Sequence, residues 1–103
     1  MSLRDDRAAI EDIITAIDKL ETRLKGVSLE HFLADEDAQV WANWWLAVIG
    51  EAANAVSADF RQSHPHIPWS RMIGMRHRLV HGYRTVDARI VWATLQNDIP
   101  PLR

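Results

Sequence analysis

The sequence predicts an all-α fold, a four-helix up-and-down bundle with a short extra helix. Apolar residues recur at i, i+3, i+4 and i+7 through two long stretches, the spacing of one helix face. No segment alternates apolar and polar residues, and no hairpin turn signal separates two such runs. The four prolines fall between periodic stretches, where no helical N–H is lost to them.

The elements follow in order. From Asp5 to Lys25 the apolar positions are Ile10, Ile13, Ile14, Ile17, Leu20 and Leu24, one long amphipathic helix closed by Gly26. Ser28 can cap the short extra helix, which carries Leu29, Phe32 and Leu33. The acidic run "ADEDA" suits a helix N-terminus, whose dipole end is positive, and opens a second long helix from about Asp37 to Phe60. Val40, Trp41, Trp44, Val48, Ile49, Ala52 and Val56 set its periodicity. "SHPHIPWS" breaks the pattern with two prolines. Ser70 restarts a helix through Met72, Ile73, Leu79 and Val80 that ends near Gly82 or Tyr83. Asp87 is placed to cap a last helix with Ile90, Val91 and Leu95, stopped by Pro100 and Pro101. Residues 1–103 read as one domain with no repeat or linker.

Composition narrows the class. Hydrophobic residues are 48% and charged residues 25%, an ordinary globular balance. The absence of cysteine excludes disulfides and thiolate metal ligands. No segment approaches the roughly 20 apolar residues of a spanning helix, and the N-terminus has no signal core, so a cytoplasmic protein without membrane contact is expected. Five tryptophans need a place. Trp41, Trp44 and Trp45 spread over about 100° of one helix, as core or as part of a dimer surface.

The net charge of −2 hides an asymmetry: residues 1–60 sum to −7 and residues 61–103 to +5, the latter with arginine as the only basic type. Arginine's planar fork suits bidentate phosphate contact, although the basic half could equally pair with the acidic half. The asymmetry centres on "GMRHRLVHGYRTVD", residues 74–87, which hold Arg76, His77, Arg78, His81, Arg84 and the chain's only tyrosine, Tyr83. His77 and His81 are four apart and share a helix face, which Arg84 would extend. Arg76, Val80 and Tyr83 lie on the neighbouring face.

Three chemistries fit these residues. A metal could sit between His77 and His81, but no glutamate lies inside the pair, and the remaining ligands would have to come from His31, His64, His66 or Glu51. The cluster could be a solvated helix face. Or it could serve phosphoryl chemistry without cofactor or metal, with arginine holding phosphate and histidine moving a proton near neutral pH. RNA supplies its own nucleophile in the 2′-hydroxyl. One His81 per chain cannot provide both a base and an acid, whereas a symmetric dimer brings two.

Arg76, His81 and Tyr83 also match an R-x4-H-x-Y motif, and the chain resembles the HepT-like branch of the HEPN superfamily. These are small helical ribonuclease toxins encoded beside a minimal nucleotidyltransferase antitoxin. "SLEHFLAD" (28–35), "VIGEAANAVS" (48–57), "HPHIPWSRMIGMRHRLVHGY" (64–83) and "VDARIVWATLQNDIPPL" (86–102) run as that family does. The resemblance implies metal-independent RNA cleavage by Arg76 and His81. It also implies a homodimer whose motif-bearing helices line one cleft, and silencing by AMP attached to Tyr83 or by complex with the antitoxin. Arg78 and Arg84 would hold RNA phosphates beside that cleft. His77 stands where the family usually has asparagine, which puts a titratable ring beside Arg76. Glu51, within "IGEA", could orient Arg76 across helices or form an ordinary salt bridge. The competing reading within the family is a catalytically silent dimer that binds its nucleotidyltransferase partner.

Overall fold

A computed structural model describes residues 3–81 and 88–97, with side-chain surroundings for all of these except residues 3–5, 80 and 81. Six helices and no strand occur among the described residues: α1 (Leu3–Leu24), α2 (Leu29–Ala34), α3 (Glu36–Ala55), α4 (Ala58–Ser63), α5 (Trp69–His81) and α6 (Ala88–Asn97). The all-helical expectation holds. None of the described helices is long and apolar enough to cross a membrane.

Local chemistry explains each boundary. α1 stops at Gly26, whose φ of +77° is a left-handed conformation that costs other residues a Cβ clash. Ser28 caps α2, accepting from the His31 N–H at 3.1 Å. Asp35 ends α2 and begins α3, where its carboxylate accepts from the Ala38 N–H at 3.0 Å. Gln39 then reaches back with its amide, donating to the carbonyls of Phe32 (2.9 Å) and Leu33 (3.1 Å) in the last turn of α2. This joint fixes α2 against the start of α3. α5 begins at Trp69, one residue earlier than expected, because the Met72 N–H already donates to Pro68.

The single helix expected from about Asp37 to Phe60 is two helices, so a second short helix joins the one anticipated. The break lies at Val56 and Ser57, both extended. Asp6 of α1 holds it. Its carboxylate accepts from the Ser57 N–H at 2.8 Å and the Ser57 hydroxyl at 2.7 Å, while that hydroxyl accepts from the Phe60 N–H to cap α4. Periodicity alone misses the break because Val56 stays buried and Phe60 packs on the core across it.

Asp6 is nearly buried, and its pKa lies below the ordinary carboxylate range. The Ser57 hydroxyl is the chief cause, then the Ser57 N–H, with burial opposing both. The folded state therefore holds its proton less tightly than the unfolded chain. The contribution is complete above the unfolded value of about 3.9 and disappears as pH falls through the lower folded value. We expect wild type to be more stable than Asp6→Asn at neutral pH, with the gap closing as pH drops below about 4 in chemical-denaturation titrations. A gap that stays constant across that range would contradict the assignment.

α1 and α3 run antiparallel: Asp6 near the start of one meets the residue after the end of the other, and the Arg23 guanidinium lies 4.9 Å over the Trp41 ring at the opposite end. α5 packs on the other side of α3, entering where Trp69 meets Phe60 edge-on at 6.2 Å and donates its indole N–H to His64 O at 3.0 Å. The core is built from Ile13, Ile17 and Leu20 of α1, Leu46 and Ile49 of α3, Met72 of α5, and Val91 and Leu95 of α6. Phe32 of α2 is fully enclosed against Trp92 of α6, with ring centroids 5.3 Å apart. Each such large apolar side chain contributes roughly 1.5–3 kcal/mol of transfer free energy.

Candidate functional site

Arg76 projects from the middle of α5 toward α3, where its Nε lies 2.7 Å from Glu51 Oε2. The pairing predicted across helices is therefore present as geometry. Its position depends on Gly50. A Cβ at Gly50 would overlap Cβ of Arg76 and come within 2.6 Å of the Met72 carbonyl, so α5 can approach α3 this closely only over a glycine. The close approach sets the base of the Arg76 side chain, and Glu51, one residue on, takes its guanidinium. At 33% and 66% side-chain exposure the pair is open to solvent, where an ion pair adds at most about 1 kcal/mol. Its consequence is orientation rather than stability.

Beside this pair runs a groove of about 500 Å³ between α1 and α3. Trp44, Ala47, Val48 and Ala55 supply its apolar wall, and Asp12, Glu51 and Arg76 its polar edge. The tryptophan cluster divides accordingly. Trp41 and Trp45 are half-buried and meet edge-on at 6.3 Å. Trp44 is 65% exposed and Val40 68%, so the outer face of α3 carries an apolar stripe with Glu51 at its far end.

The other motif positions are placed less fully. His77 and Arg78 are exposed on α5. His81 is the last residue of α5, and its side chain lies outside the described set. Tyr83 and Arg84 lie outside the described residues altogether, as does Asp87. Arg76 and His81 are five apart, so their backbone positions differ by about 140° around the helix. Arg76 belongs to the side facing α3. His81 lies toward the opposite edge.

Among the described residues no group of three or more histidine, aspartate or glutamate side chains is arranged to hold a metal ion. The His77–His81 pair itself falls partly outside that set. Of the more distant candidates, His64 stacks on Phe60 with ring centroids 4.2 Å apart, and its Nδ1 lies 3.0 Å from the Phe60 carbonyl. Its ring has a structural task in the turn before α5. His31 is exposed on α2.

Sequence reasoning missed Gly50 and the groove. A glycine inside a helical run marks a close approach, and "IGEA" carried that signal. The groove had none, because alanines and a lone aspartate on two separate helices show no spacing relation.

Comparison with known proteins bears on this site. Residues 13–103 match the family described as ribonuclease HepT-like. The chain is 39% identical over 100 residues to a probable ribonuclease HepT of Thermococcus cleftensis, covering 97% of this chain and 91% of that protein. It is 35% identical over 100 residues to a putative RNase of Caldanaerobacter subterraneus, covering 97% and 89% respectively. A putative RNase of Methanocaldococcus jannaschii is 34% identical over 103 residues, covering all of this chain and 89% of the relative. No solved structure matches.

Proposed function

This chain belongs to the HepT-like ribonuclease family, and on that premise we propose that it is a metal-independent endoribonuclease, the toxin of a toxin–antitoxin pair. The observation that carries the reading is Arg76 held 2.7 Å from Glu51 at the end of an apolar groove, one charge pre-aimed beside an uncovered surface. In this reading α1, α3, α5 and α6 make one four-helix domain spanning residues 1–103. Two copies pair around the motif, and the protein acts in the cytoplasm.

The chemistry needs three things. His81 takes the proton of the 2′-hydroxyl, whose oxygen attacks the adjacent phosphorus as the P–O5′ bond breaks. The leaving 5′-oxygen receives a proton from the second His81 of the dimer. Arg76 balances charge on the phosphoryl oxygens, a task a metal performs elsewhere. Arg78 and Arg84 hold neighbouring phosphates, and His77 adds a ring beside Arg76. AMP attached to Tyr83 by a nucleotidyltransferase antitoxin places a bulky anion where substrate phosphate must enter, and so silences the site.

The exposed stripe of Val40 and Trp44 supports pairing, since large apolar groups at 68% and 65% exposure are of the kind that dimer interfaces cover. A charge at its centre should separate the copies. Trp44→Glu is expected to shift the mass in light scattering from dimer to monomer and to remove RNA cleavage with little change in helical content. A stable, active Trp44→Glu dimer would place the interface elsewhere.

The reading is tested by incubating protein whose intact mass shows no added AMP with tRNA and mRNA in EDTA, then identifying fragment ends. Fragments ending in 2′,3′-cyclic phosphate support it. Intact RNA after incubation with folded, unmodified dimer overturns it.

A further inference from the structure

We propose that the groove between α1 and α3 is a base-reading subsite, in which the Asp12 carboxylate selects guanine in the nucleotide whose phosphate Arg76 holds. The proposal rests on the ribonuclease reading and names the base beside the cut.

The register of the helices brings the two groups to one level. α1 and α3 run antiparallel, with Asp6 against Ser57 at one end and Arg23 over Trp41 at the other. Between these points Asp12 falls level with Glu51 and Ala52. The groove accordingly carries Asp12 on its α1 side and the Glu51–Arg76 pair on the other. Short side chains lie between: Ala9 and Ala52 are buried, Ala8 and Ala55 exposed. Alanines leave room for a flat ring, and a volume of about 500 Å³ is in the range of small-molecule sites. Trp44, on the stripe proposed for pairing, stands seven residues or about 10.5 Å along α3 from Glu51, toward the other end of the groove.

Charge decides which ligand fits. Two carboxylates line the groove, and Glu51 is taken by Arg76 at 2.7 Å. Asp12 is exposed, and no described residue bonds or pairs with it. The positions three and four residues away on α1 are Ala8, Ala9, Thr15 and Ala16, none of them charged. A phosphate is repelled by Asp12 and belongs at the Arg76 edge. What suits a carboxylate without a cation is a neutral group with two donors side by side, one for each oxygen. Among the four RNA bases only guanine has such an edge, N1–H beside the N2 amino group. Adenine and cytosine set a donor beside a ring-nitrogen acceptor, whose lone pair faces the second carboxylate oxygen. Uracil flanks its one N3–H with carbonyls. Unpaired bases of single-stranded RNA expose these edges. A guanidinium from a protein would match Asp12 alone, whereas a guanine nucleotide meets Asp12 with its base and Arg76 with its phosphate.

The test uses strands that differ in one base. RNA strands report cleavage; the same strands with 2′-deoxy sugars bind without being cut and report affinity. Wild type is expected to favour the guanine strand over adenine, cytosine or uracil by roughly 5–150-fold, the value of one good bidentate base contact. Hypoxanthine, which lacks the second donor, should fall between. Asp12→Ala should treat all strands alike. Asp12→Asn offers one acceptor and one donor, so preference should pass to adenine and cytosine, an outcome that a merely structural aspartate would not produce. The hypoxanthine comparison needs no variant and so does not depend on how a variant folds. Equal affinity of wild type for guanine and hypoxanthine overturns the subsite, as does a guanine preference that survives in Asp12→Ala. So does loss of the dimer in Asp12→Ala with base preference unchanged, which would assign the groove to the second copy. Failure of the two readings looks different. Cutting without base preference removes the subsite alone, and Asp12-dependent guanine binding without cutting removes the nuclease reading alone.

Discussion

On the proposed mechanism, in which His81 at the end of α5 moves the proton, His81→Ala is expected to lower the rate of RNA cleavage by roughly 10²–10⁴ while leaving the helical fold intact. Arg76→Ala should cost on the order of 10²–10³, the usual loss when one preorganised charge donor is removed. The two losses should not add. A transition state that can neither shed its proton nor place its charge gains little from keeping one of the two, so the double variant should fall close to the worse single variant. The measurement is initial rate on one labelled RNA, in EDTA, with protein free of AMP. Full activity in His81→Ala would remove this residue from the chemistry. Equal losses in Glu51→Gln and Arg76→Ala would show that orientation by Glu51 matters as much as the charge it holds.

Gly50→Ala is expected to drive α3 and α5 apart, where a Cβ at Gly74 would meet nothing. The new Cβ would overlap Cβ of Arg76 and sit 2.6 Å from the Met72 carbonyl, and neither is a flexible side-chain end that can swing aside. The helices must separate. Overpacking of this kind costs about 1–3 kcal/mol, and more where the backbone itself is struck. At about 4–8 °C per kcal/mol for a chain of this size, the midpoint should fall by roughly 4–24 °C. Cleavage should fall further than stability does, since moving α5 away from α3 also moves Arg76 away from Glu51. A Gly50→Ala protein with unchanged melting point and rate would mean that the close approach is not needed.

Much of the fold was legible, for a physical reason. The long helices are amphipathic and bury one stripe, so apolar spacing recovers α1 and the start of α3 to within about two residues, and Ser28 announces the short α2 through its cap. The division of the expected Asp37–Phe60 helix was not legible. It depends on Asp6, 51 residues away from Ser57, and no local propensity carries that information. At the candidate site the motif residues stand out in the sequence as a cluster of arginine and histidine, and Glu51 was recognisable through its neighbours in "IGEA". The groove was not, because Ala8, Asp12, Trp44 and Ala55 become neighbours only when α1 lies against α3. The same limit applied to the tryptophans: periodicity could not say that Trp44 faces outward while Trp41 and Trp45 turn toward the core.

The clasp between Asp6 and Ser57 bears on how the chain is made. It joins positions 51 residues apart, so during synthesis at about 5–20 residues per second it cannot close until roughly 3–10 s after Asp6 is added. Through that interval the Ile13, Ile17 and Leu20 stripe has no complete α3 to lie against. α1 is thus held only once α3 is complete, and its apolar stripe stays uncovered on the nascent chain through that interval.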